Sequence, residues 1–328
     1  MEQNCYPVGQ RPKAVLASMS QGGALPEDAS LPGLAAIREL GLGRAIPDLG
    51  LCSSPVDLIN RAYTAGERIT IEARAGERRF AVKAYAEDPS HEALLYQSLA
   101  GAGLAGASEC RAPPLLVWER KLHVLVIGWL EGPNAEQLIL SGRGARAGEL
   151  GAMWLRRAAE LPIQLGPPYV AEPIVARKQR KVAADAFLGE AAAALAEKLD
   201  RTQPKAAASR LVHGTFYSHH VIDLGDGPGV IDWQRFCQGP IELDAGIFLA
   251  TVWRTRMWPE HPEAEVARAE QSFLAGMAGF LDEHALAWHR SAMLLRLARK
   301  LAVRRNETDW SARAHALLNE ASRFDIAG

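Results

Sequence analysis

The sequence lacks the features that mark several large classes of protein. Its four cysteines, Cys5, Cys52, Cys110 and Cys237, are widely separated and form no CxxC pair, which disfavours a structural zinc site or a disulfide framework and is typical of a reducing cytoplasm. No apolar run approaches the roughly 20 residues that a membrane helix needs. The polar segment Met1–Gln10 has no apolar signal core. We therefore expect a soluble cytoplasmic protein without a membrane partner.

An excess of charge of either sign is also absent. Lys and Arg number 37 against 38 Asp and Glu, which gives a formal net charge of -1. This balance supplies no counterion release toward nucleic acid and no basic face for anionic lipid, so we expect no nucleic-acid partner. The hydrophobic content of 48% and the length of 328 residues suit a globular protein with two lobes. The oligomeric state stays open.

The first half of the chain has the pattern of an α+β unit. Polar and apolar residues alternate with period two in several short runs, which predicts strands. A helix starts at Asp88-Pro89, after the third strand. We assign residues 51–128 to this unit and residues 1–50 to an N-terminal extension that packs on it. The predicted strands are 56–59, 68–74, 79–85, 115–118 and 124–127, as a small antiparallel five-stranded sheet.

The second half, residues 129–328, is mainly helical by its apolar spacing. It is interrupted at 211–233 by two short apolar runs around the turn Asp223–Gly227, which predicts a hairpin. A small β-lobe, a linker and a helical lobe with one embedded hairpin is the order of a kinase-like fold. The predicted helices are 147–160, 182–199, 263–283, 285–305 and 309–322.

Four local motifs fall in the order that such a fold requires. Phe80–Lys83 resembles the third-strand lysine motif of kinases, whose lysine holds nucleotide phosphates, with Glu92 as its partner on the next helix. His213–His220 resembles a catalytic loop of the form His-Gly-Asp, four residues, Asn. Val230–Trp233 resembles the segment with the metal-binding aspartate, and Gly239–Asp244 the element that braces the loop. From the lysine motif alone, a surface lysine on an edge strand is an equal alternative.

Together these motifs resemble the aminoglycoside phosphotransferase and choline kinase family, over about residues 31–320. The resemblance implies a protein kinase-like bilobal fold, ATP (or GTP) with Mg²⁺ as cofactors, and a small-molecule substrate with a hydroxyl acceptor. It also implies that Lys83 and Asp232 converge on one bound phosphate group. The base of the nucleotide would contact the backbone of Gly128 and Leu130, by position in the linker between the lobes.

Two positions of the catalytic loop depart from the family pattern. Thr215 occupies the position of the catalytic aspartate, and His220 that of the asparagine. Threonine is no base near neutral pH, and general acid–base catalysis is worth about 10²–10⁴ in rate. An imidazole is a poor replacement for an oxygen ligand of Mg²⁺. Asp232 is therefore the metal ligand that the resemblance carries over directly, with His220 at the second metal position.

Histidines offer one way to compensate for the missing base. His219 or His220 titrates near neutral pH and can take the proton of a substrate hydroxyl. In the alternative, one of the two packs inward and the other faces solvent. His213 is interpreted as a structural brace. A zinc site formed by these three histidines with Asp232 is a further alternative, although nothing in their spacing favours it.

The phosphate-binding loop and the acceptor region carry weaker signals. The segment Tyr63–Arg68 has a single glycine, Gly66, whose backbone amide is a candidate for phosphate binding, while a plain hairpin turn fits equally well. The C-terminal helices carry arginines and lysines such as Arg299-Lys300, which disfavours a polycationic aminoglycoside as the acceptor; a solvated helix face is the simpler interpretation.

Three functions remain open at this point. The first is an ATP-dependent phosphotransferase acting on a small-molecule hydroxyl. The second is a catalytically inactive pseudokinase that binds a nucleotide or a metabolite, and the third is nucleotidyl transfer with ATP in another orientation.

Overall fold

The computed structural model describes residues 25–51, 55–106, 108–171, 187–205, 209–258, 263–304 and 309–326. The chain divides into two compact units. The first unit runs to Gln97 and also contains Pro114–Trp129, whereas the second comprises Ser98–Pro113 and continues from Leu130.

The first unit is built on a five-stranded antiparallel sheet with the strand order β1-β2-β3-β5-β4. The predicted meander of three strands is confirmed, with a β-bulge between Asn60 and Ala62 in its first strand. A helix, α3, follows the third strand, as expected. The elements of this unit are α1 Pro32–Leu40, α2 Leu42–Ala45, β1 Asp57–Thr64, β2 Arg68–Ala75, β3 Arg78–Tyr85, α3 Ser90–Gly101, β4 Leu115–Glu119 and β5 Val124–Gly128.

One face of this sheet is the core of the first unit, and the other face carries the polar residues described below. Because side chains alternate along a strand, Ile71 and Val82 face the core together, while Thr70 and Lys83, paired across the same two strands, face the opposite side. Helix α1 packs on the core face. A Cβ at Gly33 would lie 2.2 Å from Val124 Cγ2, so a larger residue does not fit there.

The second unit is mainly helical, with two short two-stranded sheets. Within the range 211–233, where a hairpin is predicted, β7 (Val221–Asp223) and β8 (Pro228–Val230) form a hairpin, whereas the strand at its start, β6 (Arg210–Val212), pairs with β9 (Cys237–Gly239). Its helices and strands are α4 Ala135–Leu140, α5 Gly144–Ala159, α6 Glu190–Arg201, β6 Arg210–Val212, β7 Val221–Asp223, β8 Pro228–Val230, β9 Cys237–Gly239, α7 Ile241–Arg254, α8 Glu263–Gly276, α9 Glu283–Arg304 and α10 Trp310–Ala321.

Helix α7 is the longest described helix that the sequence pattern did not predict. Every residue from Ile241 to Val252 is buried, so the helix has no polar face to produce an amphipathic period. The predicted helix at 263–283 ends earlier, at Gly276, where a Cβ would lie 2.6 Å from the Ala152 side chain. The predicted helix at 182–199 begins outside the described residues, and its described part starts at Glu190.

The described cysteines and helices bear on the expectations of no disulfide framework and no membrane helix. Cys110 and Cys237 are buried free thiols, whereas Cys5 and Cys52 lie outside the described residues. Among the helices of the described segments, none combines the length and hydropathy required to span a bilayer.

Candidate active site

Lys83 and Glu92 form a buried ion pair in the first unit. Strand β3 directs Lys83 away from the apolar core, and Glu92 lies in the first turn of α3. The two residues are 4% and 5% exposed, and Lys83 Nζ donates to Glu92 Oε1. The second carboxylate oxygen accepts a hydrogen bond of 2.6 Å from the Tyr85 hydroxyl. The pairing of Lys83 with Glu92 predicted from the motif is confirmed, and the edge-strand alternative is wrong because β3 lies between β2 and β5.

The loop between β1 and β2 does not offer the phosphate-binding amide expected of it. Gly66 has a positive φ of 71°, but its N–H donates to Asp28 Oδ2 at 2.8 Å. The Tyr63 hydroxyl donates to the same oxygen at 2.9 Å. A phosphate at Gly66 would compete with a carboxylate for this amide, so the loop is a hairpin turn secured by Asp28.

A charged cluster that sequence reasoning missed lies on the same sheet face as Lys83. Glu72 is fully buried and binds three guanidinium groups, those of Arg61 at 2.5 Å, Arg74 at 2.5 Å and Arg79 at 2.7 Å. Burial raises the pKa of Glu72, but the hydrogen bonds from the three arginines outweigh it and lower the pKa to about 2. Arg79 also stacks over the ring of Trp129, 4.2 Å from its centroid. The carboxylate of Glu72 therefore links arginines of the three strands β1, β2 and β3.

Gly128 and Leu130 flank that tryptophan. The Gly128 N–H donates to the Pro114 carbonyl at 2.8 Å, so this amide does not serve the base of a nucleotide. Leu130 is the first residue of the second unit, and its side chain lies against Gly229 of β8. Base binding by the remaining backbone groups of this segment stays a prediction.

In the second unit, Asp244 braces the catalytic loop as predicted. Its two carboxylate oxygens accept from the backbone amides of His213, at 2.6 Å, and Gly214, at 2.9 Å. Burial raises the pKa of Asp244 to about 7, against the two amides, which lower it. Gly214 has a positive φ of 72°, and a Cβ there would lie 2.2 Å from the Arg235 carbonyl oxygen, so the loop requires glycine at this position.

Thr215 and His220, the two departures from the family pattern, contact each other. The Thr215 carbonyl oxygen accepts a hydrogen bond of 2.9 Å from His220 Nδ1. On its other side, Thr215 Oγ1 lies 3.2 Å from His213 Nδ1. Since His213 Nε2 must donate to the Ile231 carbonyl oxygen at 2.9 Å, Nδ1 is the acceptor, and the Thr215 hydroxyl donates to it. His213 is therefore a brace for the loop, in agreement with its interpretation from the sequence.

Asp232 and His220 present two donor atoms to a common space. His220 Nε2 lies 3.5 Å from Asp232 Oδ2, and because Nδ1 of the same ring donates to a carbonyl, Nε2 is the nitrogen that faces Asp232. Asp232 is 39% exposed and has a left-handed φ of 68°, a conformation rarely adopted outside glycine, asparagine and aspartate. The pair fits two ligand positions of a divalent cation. In the described part of the chain no group of three or more His, Cys, Asp or Glu forms a metal site, so the zinc alternative has no support.

His219 is the more exposed of the two neighbouring histidines. Its side chain is 38% exposed, whereas His220 is buried, so one ring packs inward and the other partly faces solvent. Helix α4 places Glu136 beside it, with Oε2 3.9 Å from His219 Nδ1. Burial, and then the charges of His220 and Arg254, lower the pKa of His219 well below its usual value. The ring is neutral at physiological pH and is a weak base for a hydroxyl proton.

The lysine and the metal-binding aspartate belong to different units. Lys83 lies in the first and Asp232 in the second. Their convergence on one phosphate group stays a prediction.

Comparison with known families gives one match over most of the chain. The model described as "APH: Phosphotransferase enzyme family" matches residues 74–289. This range contains Lys83, Thr215, Asp232 and Asp244. No curated protein sequence matches significantly.

Solved structures with the same fold cover most of the chain at low identity. Spectinomycin phosphotransferase APH(9)-Ia, in complex with ADP and spectinomycin, is 14% identical with a TM-score of 0.56, covering 83% of this chain and 93% of its own. Choline kinase LicA from Streptococcus pneumoniae is 10% identical with a TM-score of 0.58, covering 85% and 96%. A thermostable mutant of aminoglycoside phosphotransferase APH(4)-Ia, with AMP-PNP and hygromycin B, is 16% identical with a TM-score of 0.58, covering 86% and 97%. The predicted kinase-like α+β fold is confirmed.

Proposed function

Because the chain belongs to the phosphotransferase enzyme family, we propose that it transfers a phosphoryl group from ATP or GTP to a hydroxyl of a small molecule. Structures of the same fold contain ADP with spectinomycin, or AMP-PNP with hygromycin B, which supports a nucleotide and a small-molecule acceptor.

The observation that carries this proposal is the buried pair of Lys83 and Glu92. A buried ion pair contributes little net stability, because desolvation of both charges offsets their attraction. The pair has a different role. A lysine that a carboxylate holds on the polar face of a central strand is positioned to bind nucleotide phosphates with its ammonium group. We assign Lys83 to the phosphates and Glu92 to the orientation of Lys83.

The metal half of the site rests on Asp232 and His220. Asp232 would hold a Mg²⁺ ion together with oxygens of the nucleotide and water, and His220 Nε2 stands at the second ligand position, where an imidazole is a weaker ligand for Mg²⁺ than an oxygen. Bound there, the ion would neutralise negative charge on the phosphates. The left-handed backbone of Asp232 and the hydrogen bond from His220 to the Thr215 carbonyl fix the directions of these donors.

The acceptor proton has no carboxylate at the usual position. The Thr215 hydroxyl donates a hydrogen bond to His213 and does not accept a proton. The lowered pKa of His219 makes that ring a weak base. Phosphoryl transfer relies mainly on positioning and charge neutralisation, so it proceeds without a strong base at a rate reduced by about 10²–10⁴.

The hydrogen bond of Thr215 to His213 and the lowered pKa of His219 also favour a second function, a pseudokinase that binds nucleotide without turnover. The blocked amide of Gly66 adds to it, since Asp28 takes the place of a phosphate there. No particular contact favours nucleotidyl transfer, the third alternative.

Thermal unfolding with and without nucleotide tests the binding step. We expect Mg-ATP or Mg-GTP to raise the Tm of the protein, and Lys83→Ala to abolish the increase. Lys121→Ala, which removes an exposed lysine from the same unit, is the matched control and should behave like the wild type. No increase at millimolar nucleotide would contradict both functions. Release of phosphate in the presence of candidate acceptors then separates the enzyme from the pseudokinase.

A further inference from the structure

The catalytic loop adjoins a group of cations on two helices of the second unit. The Ser218 N–H donates to Thr251 Oγ1 at 3.0 Å, which attaches the turn containing His219 to helix α7. Arg254 follows Thr251 by three residues and therefore lies on the same helix face, one turn further along. Its charge acts on both His219 and Glu136, in agreement with this position.

Helix α9 brings further positive charge to the same place. It packs closely on α7, since a Cβ at Gly246 would lie 2.6 Å from the Arg290 backbone nitrogen. Arg296, Lys300 and Arg304 follow each other at four-residue spacing on α9, and all three are exposed. The charge of Lys300 also acts on His219. We call Arg254, Arg296, Lys300 and Arg304 the basic cluster.

The basic cluster is unbalanced, unlike two other arginines of this unit. Arg146 pairs with Asp223 at 2.9 Å, and Arg290 with Glu270 at 2.7 Å. Within the described segments, no carboxylate lies within ion-pair distance of any member of the basic cluster. The charge of Arg254 acts on the carboxylate of Glu136, which also faces His219. Glu136 and Asp232, which both act on His219, are two carboxylates against four cations, so positive charge remains in excess.

The charges of the cluster members act on Lys300, in agreement with the four-residue spacing of Arg296, Lys300 and Arg304 on α9. Partial burial, followed by the charges of Arg304, Arg254 and Arg296, lowers the pKa of Lys300 to about 8. Arg254 and Arg304 each end a helix, where a cation is favourable without a ligand. Arg296 and Lys300 lie before the helix end, so the helix dipole does not account for them as well.

We propose that the basic cluster binds a negatively charged group, phosphate or carboxylate, of the acceptor whose hydroxyl receives the phosphoryl group. The proposal rests on the proposed function and specifies its substrate class. Guanidinium groups bind such oxyanions through paired charge-assisted hydrogen bonds, and an ammonium group adds a further donor. An acceptor held there places its neutral part near His219 and Asp232, where transfer would occur. A polycationic acceptor would be repelled at the same position.

Binding of small anions tests this assignment. Inorganic phosphate and malonate serve as the phosphate and carboxylate probes, measured by titration calorimetry at constant ionic strength against NaCl. We expect the double variant Arg254→Gln/Lys300→Gln to weaken binding of the preferred probe by about tenfold or more. The control Arg201→Gln/Lys205→Gln removes the same two charges from exposed positions of the same unit and should bind like the wild type. The tighter probe identifies the anionic group.

The nucleotide site is excluded by a further arm of the experiment. Phosphate or malonate binding should persist in Lys83→Ala, because the basic cluster does not involve that residue. Equal affinity in the two double variants, or loss of probe binding in Lys83→Ala, would overturn the proposal. The increase of Tm with Mg-nucleotide, measured on Arg254→Gln/Lys300→Gln, reports separately on the proposed function and on folding. If it is retained while probe binding is unchanged, the acceptor assignment alone fails.

Discussion

The two units differ in how closely their residues match the motifs of the phosphotransferase family. In the first unit, Lys83 and Glu92 have the residue types and the buried contact that the family motif requires. In the second unit, Asp232 and Asp244 have the residue types of the family pattern, whereas Thr215 and His220, which precede them along the chain, do not. The new residues are bonded into the loop, through the Thr215 carbonyl and the His213 ring, and do not leave gaps. The comparison indicates that the loop keeps its shape after losing its base.

The largest expected effect comes from restoring the base. We expect Thr215→Asp to raise the rate of phosphate release from Mg-nucleotide by about 10²–10⁴, because the carboxylate supplies general-base catalysis. Thr215→Asn, which has the same shape without basicity, is the control and should leave the rate unchanged. The measurement is steady-state phosphate release. If the aspartate variant gains nothing, the second unit has lost more than its base, and the pseudokinase is favoured.

The charged cluster of the first unit gives the next largest effect. We expect Glu72→Gln to lower the free energy of unfolding by about 3 kcal/mol at neutral pH, because it leaves three guanidinium groups around an uncharged amide. The wild-type contribution is present above the ordinary pKa of a glutamate, near 4.5, and is lost as the pH falls toward the lowered value of about 2. Urea unfolding between pH 2 and 7 measures both.

That experiment has a clear contradicting outcome. If Glu72→Gln and the wild type lose stability in parallel between pH 5 and 2, the arginines do not lower the pKa of Glu72 in the folded protein. Glu77→Gln, a change at an exposed residue of the β2–β3 turn, controls for the loss of a negative charge.

The brace of the catalytic loop should matter by a smaller amount. We expect Asp244→Asn to destabilise the second unit by about 1–3 kcal/mol, since an amide accepts through one oxygen and leaves one of the His213 and Gly214 amides without its bond. Asp226→Asn removes a carboxylate from an exposed turn and is the control. Chemical denaturation reports the difference, and hydrogen exchange of the two amides locates it. Unchanged exchange would show that Asp244 is not the brace.

Lys300 gives the smallest effect. The folded protein releases the Lys300 proton at a pKa of about 8, whereas the unfolded chain keeps it to about 10.5, so its charge opposes folding below pH 8 and this cost disappears as the pH rises between the two values. We expect Lys300→Gln to raise the Tm slightly at pH 7. The free energy of unfolding should increase by less than about 0.5 kcal/mol, because the side chain is exposed. The difference from the wild type should vanish at pH 10.5. A lower Tm at pH 7 would contradict the unbalanced charge of the basic cluster.

Much of the fold follows from local sequence, and the reasons for the exceptions are physical. The strands β2 and β3 alternate polar and apolar residues because one sheet face is core and the other is polar, so period two is visible along the chain. Helix α7 is buried on all sides from Ile241 to Val252, and this stretch therefore shows no amphipathic period. Motif spacing likewise identifies Lys83 and Asp244, whose partners follow from the family pattern.

The parts of the site that escaped sequence reasoning depend on distant partners. From the sequence, Gly66 is typical of a phosphate-binding loop. In the structure its N–H donates to Asp28, which is distant along the chain. Glu72 collects three arginines from two neighbouring strands and its own, which requires the strand register. The basic cluster depends on the packing of α7 against α9, since Arg254 and Lys300 are separated by a long stretch of chain.

The convergence of Lys83 and Asp232 on one nucleotide is the central claim, and a crystal structure with AMP-PNP and Mn²⁺ tests it most directly. We predict that Lys83 Nζ donates to a phosphate oxygen while an Asp232 carboxylate oxygen binds the Mn²⁺ ion on the same nucleotide. A structure in which the nucleotide contacts one of these residues and leaves the other far from phosphate and metal would contradict the account.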